Sequence, residues 1–277
     1  MLDIGRGVTS LAVEPSYYGA VCVLFLLINY LNFRNEKHYR FIMVLILVQL
    51  FIFSKSSVCI LILALSYVIY SFIKILCEEH LLHNLLYLSA VIGFITITSY
   101  YIILMADNRL SSILQTLTQD PSILLTMDGS INNRFMHAFF PIKGFFDSYG
   151  MPHGFSGYYK YLNSMAESPK WQNVLSLGGV EQEYRIGTAI GAPLFELGIL
   201  SLPFLKALII TLKDIVHQHR YGLLCAIIFV LLIMNNSTWN IAIFDLFLAN
   251  IFYLSTTAKS SNRNERDIFT NYNNNLP

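Results

Sequence analysis

Charge is scarce in this chain. Only 13% of its 277 residues are Asp, Glu, Lys or Arg, and the net charge is +1. That balance excludes a partner held by bulk electrostatics, nucleic acid first among them. Cysteine patterning is equally thin. Cys22, Cys59, Cys77 and Cys225 sit singly in apolar runs without C-x-x-C spacing, so they are expected to be small packing residues rather than disulfide or zinc ligands. The chain has no Asp-x-Asp motif and no internal repeat. Its first 16 residues lack a basic start leading directly into an apolar core, so they do not read as a signal peptide.

What is abundant is apolar length. Hydrophobic residues make up 55% of the chain and the mean hydropathy is +0.54, well beyond a soluble domain. The fold class expected is an all-α polytopic membrane protein. Seven spans can be drawn: Tyr17–Phe33, Phe41–Phe53, Val58–Ile73, Leu85–Met105, Gly187–Thr211, Gly222–Met234 and Ile241–Ala258. The second and third are separated only by "FSKSS". One helix through both would be roughly 50 Å long and would bury Lys55 at mid-membrane, costing at least ~2.5–3.5 kcal/mol. A hairpin with SKSS at its tip avoids that cost.

Charge asymmetry sets the orientation. With the N-terminus outside and the C-terminus cytoplasmic, the short inner segments hold Arg34, Lys37, Arg40, Lys74, Lys213, Arg220, Lys259, Arg263 and Arg266. The short outer segments hold only Arg6 and Lys55. This is the positive-inside pattern. Residues 1–258 then form one transmembrane domain, with a large extracytoplasmic loop at 106–186 and a polar, disordered cytoplasmic tail at 259–277.

The loop carries the residues with chemical interest. Ser130 in "SINNRF" reads as a helix N-cap with Arg134 one turn in. A short amphipathic helix follows, whose Phe135, Phe139 and Phe140 lie in the bilayer interface and hold Arg134 and His137 near the headgroups. Twelve aromatic residues fall between Phe135 and Tyr184; they form either an interfacial belt or a platform for sugar faces. Arg6, Arg109, Arg134 and Arg185, with Lys55, map to the same outer face. Guanidinium forks bind phosphate bidentately, so these cations are either headgroup-facing or a diphosphate site. Glu14 precedes Pro15, where it serves as a helix-start acid or as a base. His153 is an ordinary turn residue or a second base, with Glu183 next. Glu196 and Asp245 fall inside spans, where ionisable groups act in function or pair to hold the bundle.

"RGVTSLAVEPSYYG" resembles the motif of bacterial O-antigen and capsular polysaccharide polymerases, of the O-antigen ligase and polymerase superfamily, in which an arginine, a serine and Glu-Pro-Ser precede a span. "FSKSS" resembles that family's serine-and-basic hairpin tip, and "SINNRF…MPHGF" its loop of a serine, an arginine and a Pro-x-Gly turn. "RIGTAIGAPLFELGILSLP" is similar to its small-residue approach to a helix carrying Glu-Leu-Gly-Ile. The four stand in the family's order. In that family further spans precede the Glu-Pro-Ser segment, so upstream N-terminal helices and a lipid-facing gap beside the first span are expected.

The resemblance implies the fold of the C-type integral-membrane glycosyltransferases and a bacterial inner-membrane location. It implies a polymerase that joins undecaprenyl-diphosphate-linked oligosaccharide repeat units at the outer face, without cofactor or metal. Arg134, Glu14 and His153 would be catalytic; Arg6, Lys55, Arg109, Arg185 and Glu183 would bind substrate. Membrane lipid, a chain-length regulator and a flippase would be partners. The alternatives are an O-antigen ligase, which transfers finished polymer to a lipid A core and shares the loop histidine, and a transporter. A transporter would show paired repeats with broken helices, which this sequence lacks. A non-catalytic member of a polysaccharide assembly line is a further reading.

Overall fold

A computed structural model describes residues 15–54, 56–77, 86, 89, 93, 116, 124–127, 129–176, 186–235 and 242–257. Every regular element among them is helical. The helices are α1 (Pro15–Phe33), α2 (Tyr39–Val48, continued by one π turn over Gln49–Ser54) and α3 (Ser57–Cys77). After them come α4 (Leu124–Met127), α5 (Gly129–Asp147), α6 (Gly157–Ala166) and α7 (Gln172–Ser176). The last four are α8 (Gly191–Leu197, continued by a 3-10 turn over Gly198–Ser201), α9 (Leu202–Gln218), α10 (Gly222–Asn235) and α11 (Ala242–Thr257). Three helical runs are long and apolar enough to cross a membrane: Ser16–Phe33, Val58–Ile75 and Gly191–Gln218. Tyr39–Ser54, Gly222–Asn235 and α11 are shorter apolar helices.

The contacts give each helix a direction. The serines of the α2–α3 break lie against the start of α1, where a side chain on Gly19 would meet Ser54, Ser56 and Cys59. At the other end of α1, the Tyr30 ring is 6.1 Å from that of Tyr221, which lies 6.4 Å from Tyr70 of α3. So α2 runs antiparallel to α1, and α3 turns back alongside it. The chain does reverse at the SKSS break, as expected; Lys55 itself lies outside the described residues. From Tyr221, α10 returns to place Asn235 beside Ser16 and Cys59. Helix α11 then runs back, and its Asn250 exchanges two 3.1 Å amide bonds with Asn32 of α1. The bundle thus has a serine end and a tyrosine end.

Local chemistry explains the breaks. Pro15 suits the first helical position of α1, and the polar run Arg34–His38 makes a tight reversal through Glu36 N–H to Phe33 O at 2.9 Å and Tyr39 N–H to Glu36 O at 3.1 Å. Ser56 caps α3, its Oγ accepting the Cys59 N–H at 3.4 Å. Inside α3, the buried Ser66 returns its hydroxyl to the Ile62 carbonyl at 2.6 Å and so satisfies itself within the helix.

Two apolar cores result. The larger is built from α1, α3, α10 and α11 and includes Val23, Leu24, Phe229, Phe244, Phe247 and Ile251. Cys22, Cys59 and Cys225 are buried within it, whereas Cys77 is exposed. The smaller joins α5, α6, α7 and α8 through Met136, Phe140, Tyr158, Leu162, Leu175 and Phe195.

Several expectations are corrected. Gly187–Thr211 is not one helix: residues 186–190 approach irregularly, α8 is short, and the backbone breaks at Gly198 before α9 runs on to Gln218. Ser130 is not an N-cap, because α5 already includes Gly129. The loop helix is not short and its face is not simply interfacial. It has 19 residues; Phe140 is buried in the smaller core, and Phe135 stacks on Phe139, which alone of the three is exposed. Among the described residues, α1 is the most enclosed of the three long runs, and α2 has no buried residue before its π turn. The fourth expected span lies outside the described residues apart from Leu86, Ser89 and Gly93, which are helical.

Gly198 should be the least replaceable of these positions. Its φ is +57°, and an added Cβ would sit 2.2 Å from the Gly150 carbonyl oxygen and 2.8 Å from backbone atoms of Met151 and Pro152. Gly198→Ala should therefore cost about 3 kcal/mol or more. Gly129→Ala, which meets open space on a helix, should be neutral or slightly stabilising. Thermal unfolding of the two variants in detergent tests the contrast.

Candidate functional site

The serine end collects residues from four separated stretches of sequence. The Cys59 thiol donates to the Ser16 carbonyl at 3.6 Å, and the Ser54 hydroxyl accepts the Ser56 N–H at 3.2 Å. Asn235, Cys59, Ser16, Val58, Leu232 and their neighbours line a small recess between α1, α3 and α10. Arg134 stands nearby on α5, which packs against α10, and its Nε is sealed from solvent.

Side chains on the neighbouring turns fix α5 there. Asn132 is fully buried and its Nδ2 donates to the carbonyls of Leu125 and Val174, each at 2.6 Å, tying α5 to α4 and α7. One turn beyond Arg134, the buried His137 accepts the Gly187 N–H on Nδ1 at 3.0 Å. Its carbonyl accepts the Thr188 hydroxyl at 2.7 Å. The close fit needs small residues: a Cβ on Gly187 would stand 3.1 Å from the His137 ring, and one on Gly191 would meet Thr188 at 2.4 Å. This explains the small-residue run "GTAIGA" as a docking strip for α5. Sequence reasoning singled out that run but missed Asn132 and gave His137 only an interfacial place. The visible signal was the four-residue spacing of Gly187 and Gly191.

His153 has a different setting. Its ring lies flat on Phe195, centroids 4.1 Å apart at 6°, and its Nε2 donates to the Gly144 carbonyl at 3.1 Å. Gly144 is ten residues past Arg134 on α5, on the order of 15 Å along the helix. The structure does not bring these two together. The turn around His153 does backbone work instead. Its N–H and that of Gly154 donate to the Phe195 and Glu196 carbonyls at 3.1 Å, closing the C-terminus of α8, while Ile199 N–H donates to Gly150 O at 2.8 Å. The Pro-x-Gly turn and the Glu-Leu-Gly-Ile segment are two halves of one joint.

Beside His153, Asp147 accepts hydrogen bonds from Lys143 and, at 2.6 Å, from the Tyr161 hydroxyl. Burial pushes the Asp147 carboxyl up, but the bonds from Lys143 and Tyr161 and the charges of Lys143 and His153 outweigh it and hold it below its ordinary value. Burial, then the bond to Asp147 and its charge, push the Tyr161 phenol above its own. Of the other residues singled out from sequence, Arg6, Glu14, Lys55, Arg109, Glu183 and Arg185 lie outside the described residues. Glu196 is half-buried on α8, and Asp245 is exposed in the first turn of α11.

The described residues therefore define an all-helical protein with three helices able to span a membrane and a small, mainly apolar recess between α1, α3 and α10 at one end of the bundle. No protein-family model matches the chain, and neither curated proteins nor solved structures give a match.

The Asp147 cluster predicts an acid-sensitive loop. A depressed folded-state pKa contributes stability that is present above the ordinary carboxylate value, ~3.9, and is lost as pH falls through the folded value. Because Asp147 is partly exposed, the contribution should stay below about 1 kcal/mol. Amide exchange over residues 143–161 should quicken relative to the bundle on acidification, and Asp147→Asn should show the quickened exchange already at neutral pH.

Proposed function

We propose that this protein is a membrane glycosyltransferase that polymerises undecaprenyl-diphosphate-linked oligosaccharide repeat units into O-antigen or capsular polysaccharide. The observation that carries the reading is convergence. Parts of the four stretches that resemble the polymerase family lie toward one end of the bundle: Ser16 and Gly19 from the first pack on Ser54 and Ser56 from the second, and Gly187 from the fourth docks on His137, one turn past Arg134 in the third. In the proposed topology of seven spans with the N-terminus outside, this serine end faces the outer side of the inner membrane. The tyrosine end, with Arg34, Lys74 and Arg220, faces the cytoplasm as the positive-inside rule asks.

In the reaction a hydroxyl oxygen of one repeat unit attacks the anomeric carbon of the lipid-linked chain. The new C–O bond forms as the bond to the diphosphate oxygen breaks, the hydroxyl proton passes to a base, and undecaprenyl diphosphate leaves with its electron pair. Arg134, with Arg6 and Arg185 as its proposed companions, holds the charge that builds on the leaving diphosphate. Lys55 and Arg109 extend the phosphate-binding set. Glu14 and Glu183 are the candidate bases; His153 is the weaker choice, because its ring is spent on Phe195 and Gly144. That setting also weakens the ligase reading, which draws on the loop histidine. Product analysis separates the two: a polymerase-null cell caps its core with one repeat unit, and a ligase-null cell leaves it bare.

Arg134 is the residue to test. If it binds diphosphate through a bidentate fork, Arg134→Lys should fail nearly as badly as Arg134→Ala, each losing on the order of 10²–10³ in rate. Normal polymer ladders from the Lys variant at wild-type membrane levels would overturn the assignment. The arginine mechanism also requires that activity in detergent survive chelator treatment; loss of activity restored only by adding back magnesium or manganese would count against it.

A further inference from the structure

The opposite end of the bundle carries a second arrangement that the polymerase reading does not use. Tyr30 of α1, Tyr70 of α3 and Tyr221 of the α9–α10 turn form a chain of rings with centroids 6.1 and 6.4 Å apart, and His219 stands 6.2 Å from Tyr30. One helix and two turns contribute cations around it. Arg220 lies 5.4 Å over Tyr221, Lys74 lies 5.6 Å over Tyr70, and the charge of Arg34 acts on His219. Arg34 follows Tyr30 by one turn and Arg220 lies between His219 and Tyr221, and neither forms an ion pair with a carboxylate of the described residues. The Tyr30 hydroxyl accepts the Tyr221 N–H at 3.1 Å, which leaves its own proton for another acceptor. Burial, and then the Arg34 charge, hold His219 below its ordinary value.

Exposed guanidiniums gathered at one end of a bundle attract anions, and phosphate oxygens match their forks. Amphipathic tyrosines place this mouth at headgroup level, and exposed phenylalanines such as Phe33, Phe41 and Phe72 run along the apolar surface nearby. We propose that Tyr30, Arg34, His219, Arg220 and Tyr221 form a binding site for the phosphate headgroup of an anionic phospholipid. The arginines fork onto the phosphate oxygens, the Tyr30 hydroxyl donates a third bond, and the acyl chains follow the exposed apolar face. A phosphate diester on a lipid suits the site better than a free ion, because the chains add apolar burial that inorganic phosphate lacks. This site stands whether or not the polymerase reading holds.

The test uses the full chain in nanodiscs of mixed phosphatidylglycerol and phosphatidylcholine, with retained lipid counted by native mass spectrometry. Wild type should retain phosphatidylglycerol over phosphatidylcholine. An Arg34→Gln, Arg220→Gln double variant, both positions exposed, should lower that retention tenfold or more, and Tyr30→Phe severalfold. Lys37→Gln, an exposed cation on the α1–α2 reversal, should leave it unchanged. Equal retention of the two lipids by wild type would overturn the proposal. So would a loss from Lys37→Gln as large as that from the double variant, since this marks a diffuse basic belt. Displacement of the lipid by millimolar inorganic phosphate would also overturn it, by making the ligand a free anion.

Discussion

The joint between Gly150–Gly154 and Phe195–Ile199 governs how the two cores sit together. It consists of backbone hydrogen bonds, His153 and Gly154 to the end of α8 and Ile199 back to Gly150. A helix that stops within a membrane protein must find donors for its last carbonyls, and α8 finds them in a loop some forty residues earlier in sequence. Phe195, held at that joint, then presents its ring to His153, Tyr158 and Tyr161. Through it the smaller core is keyed to the run that carries α9 along the bundle.

The same logic places Arg134. Helix α5 is fixed at its start by Asn132, in its middle by His137 on Gly187, and near its end by Gly144 beneath Phe195. A Cβ on Gly144 would lie 2.5 Å from that ring. An arginine on a helix so held has little freedom to follow a ligand, which is the condition under which a cation stabilises charge appearing elsewhere.

What the sequence made legible followed from period and charge. Long apolar runs announced α1, α3 and α9, and the cost of burying Lys55 announced the reversal at Ser54–Ser57. The glycine strip was found because it stands out in composition. What stayed hidden was made of groups every residue owns. The capping of α8 uses main-chain N–H groups, so nothing in "MPHGF" distinguished a structural turn from a catalytic one, and His153 drew a chemical reading that its stacking on Phe195 undercuts. The aromatic density of the loop was weighed as a belt or a sugar platform. Part of it is neither: Phe140, Tyr158 and Phe195 bury one another in a core of their own, a use that alternation and spacing do not encode.

A joint built from main-chain atoms places its demands unevenly along the chain. Tyr149, Met151 and Phe155 are 96%, 68% and 77% exposed, and none of their side chains takes part in closing α8. Gly150, Gly154 and Gly198 all have positive φ, and Gly198 has no room for another atom. Evolution is therefore free to rewrite the letters between the glycines while the geometry persists. In descendants of this chain the joint should be recognisable by the intervals between its glycines long after the words around them have changed.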